Sequence, residues 1–366
     1  MTGPETLTGW LRLTLVPGIG GRTQRRLLTA FGLPEAIFSA GYPSVSALIG
    51  DKAARRLLDA DVEAAVAGAA AWAGLPGRNI LTLADPAYPR ALLEIADPPT
   101  LLYALGRTEL LNRPAVAVVG SRSPTPQGAL NAERFARALA ETGLVIVSGL
   151  ALGVDAAAHR GALAAGGGTI AVLGTGIDRV YPARNRDLAH EIGARGAIVS
   201  EFPLGTPVIA SNFPRRNRLI SGMASGVLVV EAGVDSGSLI TARLAGEQGR
   251  EVLAIPGSIH SPQSRGCHRL IKQGAKLVET AQDVLEEIRW LAPPSAESAS
   301  EASEAGETDE NRKILALMAY DPCSLDDLVG RSGLAAEALS VILLHLELEG
   351  RVASLPGNRY QRLRDG

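Results

Sequence analysis

Arginine fills three of the four positions in "RRNR" (Arg215, Arg216, Asn217, Arg218), directly after Phe213 and Pro214. No acid occurs from Thr206 to Val230, although a solvated helix face normally interleaves both signs. Guanidinium forks without a local counter-charge suit phosphate oxygens, and a preceding ring suits a stacked base. A second candidate is "VVGSR" (118–122). Gly120 permits close backbone approach there, and Ser121 and Arg122 follow where the amides of a helix start attract anions. The plainer reading is a tight strand-to-helix turn with a solvated arginine. Asp155 and His159, four apart on an expected helix, have a spacing open to metal or acid–base work. More often such a pair is a helix cap followed by a satisfied polar group. Cys267 adjoins His268, but neighbours in sequence point apart on a helix. No Cys or His stands at zinc spacing. The glycines do not follow G-x-G-x-x-G, and no Walker A pattern exists. These patterns lead us to expect no catalytic residue, no metal and no cofactor.

Something must bring these groups together. Short apolar runs occur at 115–120, 145–150, 169–174, 197–201, 226–233, 251–257 and 275–279, separated by segments of helical length. Continuous apolar strands alternating with helices predict a parallel sheet covered on both faces. In such sheets ligands sit beyond the carboxyl ends of the strands. The unusual residues collect at those ends, in "GSRSPT", "SGLALGVD", "GTGIDRVYPARN" and "EFPLGT". Residues 115 to 290 hold five aromatics, and three of them, Tyr181, Phe202 and Phe213, fall in or near these loops. Arginines for phosphates and rings for unpaired bases, on one sheet edge, fit single-stranded nucleic acid better than a small metabolite.

Composition sets the frame. The chain has 366 residues, a net charge of −2 and a 46% apolar share, enough for two or three domains with real cores. Bulk charge does not mark a nucleic-acid binder, so that role must come from local clustering. Two distant cysteines argue against a disulfide framework and for a reducing, cytoplasmic setting. The N-terminus lacks a basic region leading into an apolar run, and the uncharged stretch 64–77 is too short to span a bilayer. No secretory signal and no membrane partner are expected.

The middle of the chain resembles the DprA/Smf family of DNA-processing proteins. The resemblance rests on "VVGSR", "SGLALGVDAAAHRGAL", "GTGIDRVYPARN", "SEFPLGTP", "FPRRNRLISGMASGVLVVEA", "SGSLITARLAGEQGREVLAIPG" and "GCHRLIKQGAKLV", in that order, with "YPRALLEIADPPTLLYALG" upstream. It implies an extended Rossmann-like domain that binds and protects single-stranded DNA and loads RecA recombinase in natural transformation and recombination. It also implies a homodimer formed through that domain and no enzyme activity. The implied DNA-binding set is Gly120, Ser121, Arg122, Ser148, Gly149, Tyr181, Arg184, Asn185, Arg186, Phe202, Phe213, Arg215, Arg216, Asn217, Arg218 and Ser238. One departure is visible: the family's usual histidine before Phe-Pro is Asn212 here. The alternative is a nucleotide-processing hydrolase on a related Rossmann fold. Its glycine run with a trailing glutamate is missing from "EAGVDSGSLITARLA" (231–245).

Flanking regions complete the expected architecture. Residues 1–80 read as short helices. "LRLTLVPGIGGRTQRRLLTAFG" resembles a helix-hairpin-helix or sterile-alpha-motif unit, with Gly18, Gly20, Arg22 and Arg25 as a secondary DNA contact. A protein-docking scaffold is the equal alternative. Residues 81–112 lead into the sheet domain, 113–290. An acidic Ala/Ser/Glu-rich linker is expected over 291–310. Residues 311–366 read as three helices and a hairpin, a winged helix. Its third helix carries no Lys or Arg, which points to protein rather than DNA contact.

Overall fold

The computed structural model describes residues 4–290, 309–318 and 320–363. Six helices come first: α1 (Pro4–Leu15), α2 (Gly21–Phe31), α3 (Pro34–Ser39), α4 (Gly41–Ile49), α5 (Asp51–Leu58) and α6 (Glu63–Ala73). Two helix–glycine–helix hairpins, α1–α2 and α4–α5, organise them. Gly18 and Gly50 take φ of +80° and +82° at the turns, a region that only glycine enters without strain. Trp10, Leu13, Leu27, Ile37, Leu57 and Trp72 close their core.

The chain then enters a nine-stranded sheet. Its first two strands, β1 (Arg78–Thr82) and β2 (Leu101–Gly106), flank α7 (Arg90–Leu93). The rest alternates: β3 (Ala115–Gly120), α8 (Pro126–Glu141), β4 (Val145–Ser148), α9 (Val154–Ala164), β5 (Thr169–Val172), α10 (Arg186–Arg195), β6 (Ala197–Ser200), α11 (Asn212–Gly222) and β7 (Gly226–Val230). It closes with α12 (Ser238–Glu247), β8 (Glu251–Ala254), α13 (Arg265–Lys272), β9 (Lys276–Leu277) and α14 (Ala281–Glu287). Strand order is β1-β2-β6-β5-β4-β3-β7-β8-β9. All pairs from β6 to β9 are parallel, and β2 joins β6 antiparallel. The sheet is Rossmann-like, with both faces buried: Val119, Val147 and Val227 pack on one side, Val118, Ile146 and Leu228 on the other.

Three details differ from the sequence expectation. The segment 78–106, expected to hold the end of the helical unit and a lead-in, supplies two sheet strands. They begin at polar Arg78 or run without helical crossovers, so the alternation that marks the other strands is missing. Several expected strands are shorter than their apolar runs, because Gly149, Leu150 and Glu231 already turn out of the sheet. Leu150 and Glu231 do so at φ of +57° and +50°. The expected linker over 291–310 lies outside the described residues except at its last two positions.

The last unit contains α15 (Asp309–Met318), β10 (Cys323–Ser324), α16 (Leu325–Ser332), α17 (Ala336–Leu348), β11 (Val352–Leu355) and β12 (Arg359–Arg362). Helices and a three-stranded sheet form the winged helix. Ser324 caps α16 as a capping box: its Oγ accepts from the Asp327 amide at 3.1 Å, and the Asp327 carboxylate accepts from the Ser324 amide at 3.3 Å. Among the described residues no single helix is long and apolar enough to cross a membrane.

Candidate nucleic-acid interface

The order of strands reverses beside β3: β4, β5 and β6 lie to one side and β7 to the other. This switch point opens a crevice at the carboxyl ends. The β3–α8 loop carries Ser121 and Arg122 into it. Thr125 caps α8 by accepting from the Gly128 amide. Thr125 is itself held by Glu231, whose carboxylate accepts from its amide at 2.8 Å and from its hydroxyl at 2.5 Å. Burial pushes the Glu231 carboxyl up, and the two Thr125 bonds oppose that. The loop that aims Arg122 is therefore fixed from below.

Arg122 projects into solvent with its guanidinium carbon 5.9 Å from the centre of the Phe213 ring. Phe213 in turn meets Tyr181, ring centres 5.6 Å apart and planes tilted by 48°. A side chain at Gly174 would strike Phe213, so the glycine at the end of β5 lets this ring lie on the backbone. Tyr181 is 44% exposed. Arg184, Arg186 and Arg215 are exposed on the same rim. Arg122, Phe213 and Tyr181 thus form one continuous row of cation and rings over the strand ends, a surface able to hold a phosphate and stack an unpaired base.

The basic cluster divides. Only Arg215 faces water, and it spans both Glu201, at 3.0 Å, and the Phe202 ring, at 5.4 Å. Arg216 is 4% exposed. Its Nη1 donates to the Gly149 carbonyl at 2.7 Å and to the Val172 carbonyl, and the buried Asp155 supplies its counter-charge. Burial lowers its pKa to about 10, so it remains charged at neutral pH. Gly149 lies against the Arg216 guanidinium so tightly that a Cβ there would collide with it. Arg218 makes a bidentate fork to Glu201, at 2.7 and 2.8 Å, and reaches Asp97 at 3.0 Å. Burial works against ionisation of Asp97, but Arg218 and Arg25 outweigh it and hold that carboxyl below the usual range. Arg216 and Arg218 are hence corrected from exposed phosphate ligands to fold residues. The local absence of acids misled because the counter-charges come from the residue after β6, the first turn of α9 and the segment before β2.

Other expected site residues are also structural. Ser148 is fully buried and donates to the Val118 carbonyl at 2.7 Å. Asn185 donates to the Leu150 and Ala151 carbonyls and so holds the loop after β4. Phe202 is buried beneath Arg215 and offers no open face. Gly120 ends β3 opposite Val230. Ser238 is buried beside Ser236, and Asn217 reaches the Gly237 carbonyl at 3.4 Å. Asp155 accepts from the Gly149 and Ala151 amides, which bends the loop after β4. His159 pairs its Nδ1 with Thr169 at 2.7 Å; burial, with Arg216 and Arg160 adding to it, lowers its pKa to about 3 and leaves it neutral. Asp155 and His159 therefore each brace the interior. In the α1–α2 hairpin, Arg22 is exposed, whereas Arg25 is tied to Asp97 and donates to the Pro98 carbonyl at 2.8 Å. Glu201, Asp97 and Glu231, which set the charge of the site, were not named among the expected site residues, although Glu201 opens the strand-end segment "EFPLGT".

Comparison with known proteins fits this geometry. The family model described as DNA recombination-mediator protein A matches residues 79–289, more than half of the chain. The chain belongs to that family. The DprA winged helix domain matches residues 297–358. Protein Smf of Escherichia coli is 42% identical over 298 residues, covering 80% of this chain and 79% of that protein. The DNA processing protein DprA of Streptococcus pneumoniae is 51% identical over 209 residues, 57% of this chain and 74% of that protein. The X-ray structure of the Streptococcus pneumoniae protein superposes with a TM-score of 0.68 at 40% identity, over 78% of this chain and 98% of that one. A Helicobacter pylori DNA processing protein A, whose structure is described by its single-stranded DNA binding mode, aligns with a TM-score of 0.53 at 34% identity, over 57% of this chain and 95% of that one. The resemblance drawn from the motifs is thus the family to which the chain belongs.

Proposed function

We propose that this chain binds single-stranded DNA along the carboxyl rim of its sheet, protects it without cutting it, and passes it to RecA recombinase. The single observation that carries the binding reading is the Arg122–Phe213–Tyr181 row at the switch point, with Arg122 and Tyr181 exposed and Phe213 half-buried between them. Arg184, Arg186 and Arg215 extend its positive charge. Absence of cutting is supported by where the carboxylates go: Asp155 is spent on loop amides and Glu231 on Thr125, so neither faces the rim. The hand-over rests on the family's description as recombination mediators.

In this reading the sheet unit takes in β1 and β2, so the units divide near residues 77, 290 and 310, and the protein works in the cytoplasm. The winged helix serves protein contact: α17 exposes Val341, Leu344 and Leu348 where a groove-reading helix needs cations. A homodimer through the sheet unit is supported by apolar exposure at Leu277 on the edge strand and Ile259 in the loop after β8. Gel shifts over a salt series test the binding reading. Arg122→Ala with Arg184→Ala is expected to weaken single-strand binding and to flatten the log–log salt slope by about 0.7 per lost phosphate contact. Duplex is expected to bind less well, because its stacked bases cannot reach the rings. An unchanged slope would remove the rim as the site.

A further inference from the structure

A second concavity lies where the α1–α2 hairpin meets the sheet. It measures about 440 Å³ and runs between the hairpin turn, Thr100 and Tyr103 around β2, and Phe202 after β6. That volume lies within the ordinary range for small-ligand sites, about 300–1,000 Å³. Three guanidinium groups, Arg25, Arg215 and Arg218, border it and face two carboxylates, Glu201 and Asp97. One positive charge is left in excess. The turn adds backbone amides, since α2 begins at Gly20 with no side chain capping it.

The floor carries the deciding observation. Thr100 and Tyr103 are 3% and 1% exposed, and among the described residues neither hydroxyl has a hydrogen-bond partner. Buried hydroxyls are almost always satisfied, and leaving one unmade costs about 1–3 kcal/mol. Two in the wall of one cavity call for a polar guest. The guest must also be flat enough to lie along the Phe202 edge and anionic at the end near Arg215 and Arg25. Those demands together describe a nucleobase with its phosphate.

We propose that this seam is a nucleotide subsite, built jointly by the helical unit and the sheet. Its ligand is one deoxynucleoside monophosphate unit, either a residue of the strand held on the rim or a free nucleotide. The base reaches the Thr100 and Tyr103 hydroxyls, and the phosphate stays at the mouth with Arg215. The strand-borne case rests on the function proposed above. Arg215 borders the seam and stands on the same helix as Phe213 of the exposed row, so a strand leaving the rings passes the mouth of the cavity.

The test uses the full chain with Thr100→Val and Tyr103→Phe combined, changes that remove two hydroxyls and little else. Calorimetric titration with dAMP and binding of a dT20 oligonucleotide are read side by side, with thermal melting as the folding control. Loss of two hydrogen bonds predicts at least a tenfold weaker dAMP interaction, while the melting temperature holds or rises because no hydroxyl is left unsatisfied. Weakening of dT20 as well assigns the site to the bound strand. Weakening of dAMP alone assigns it to a free nucleotide. Unchanged binding of both probes overturns the proposal. Arg122→Ala separates this result from the rim reading, since it leaves dAMP binding intact and acts on dT20; if it spares dT20, the rim fails while the dAMP comparison still decides the seam.

Discussion

Two rows of polar side chains follow the carboxyl ends of the strands, one wet and one dry. The wet row is Arg122, Phe213 and Tyr181. The dry row is Arg216, Asp155 and His159, buried and bonded to carbonyls, amides and Thr169. Both contain an arginine, and Arg215 and Arg216 are neighbours in the chain. Helical geometry turns one toward solvent and the other into the loops after β4 and β5. Residue type alone therefore does not assign an arginine to a ligand. What decides is whether the fold already supplies its acceptors.

The largest effect should come from removing the dry arginine. Arg216→Met leaves Asp155 buried without its counter-charge, and breaking such a pair costs about 3–5 kcal/mol. Chemical denaturation should show that loss. Arg215→Ala, by contrast, should stay within about 1 kcal/mol, because its pair with Glu201 is half solvated. Equal stabilities for the two variants would erase the distinction between the rows.

Acid sharpens the same contrast. The folded pKa of His159 lies at about 3, below its ordinary 6.5, so the unfolded chain binds the proton first. Its stabilising contribution is full above pH 6.5 and drains away as pH falls toward 3, at about 1.4 kcal/mol per unit. His159→Gln should flatten the stability profile across that window, as followed by urea midpoints at successive pH values. A profile that keeps its slope would place the titration elsewhere.

The smallest effect is expected from the winged helix. Ending the chain after residue 310 should leave single-strand affinity within about twofold, since α17 carries no Lys or Arg and phosphate contacts dominate affinity. A tenfold loss in fluorescence anisotropy would move part of the interface off the sheet.

Much of this architecture is legible in the sequence. The runs that became β3 to β8 are mostly apolar because both sheet faces are covered, and the helices between them force a parallel order. The Ser324 capping box could be read three residues ahead of its partner. The antiparallel β1–β2 pair could not, because it is short, starts at Arg78 and lacks the alternating helix. At the interface, Arg122, Tyr181 and Phe213 stand out through their type at strand ends. The burial of Arg216 and Arg218 does not, because the groups that match them come from distant parts of the chain: the Gly149 carbonyl is 67 residues from Arg216, and Asp97 is 121 residues from Arg218. Windows of sequence show a cluster of one sign; only the assembled loops show which charges are already matched.

The antiparallel start of the sheet has a consequence during synthesis. β2 pairs with β6 through Gly106–Ala197 to Tyr103–Ser200, partners separated by roughly ninety residues. At ribosomal speeds the inner edge of the β1–β2 hairpin must wait on the order of ten seconds for its neighbour to emerge. Through that interval the six preceding helices, which bury Ile80 and Tyr103 from one side, are already made and can shelter the hairpin. The N-terminal unit thus acts as a nursery for the first edge of the sheet before it serves any ligand.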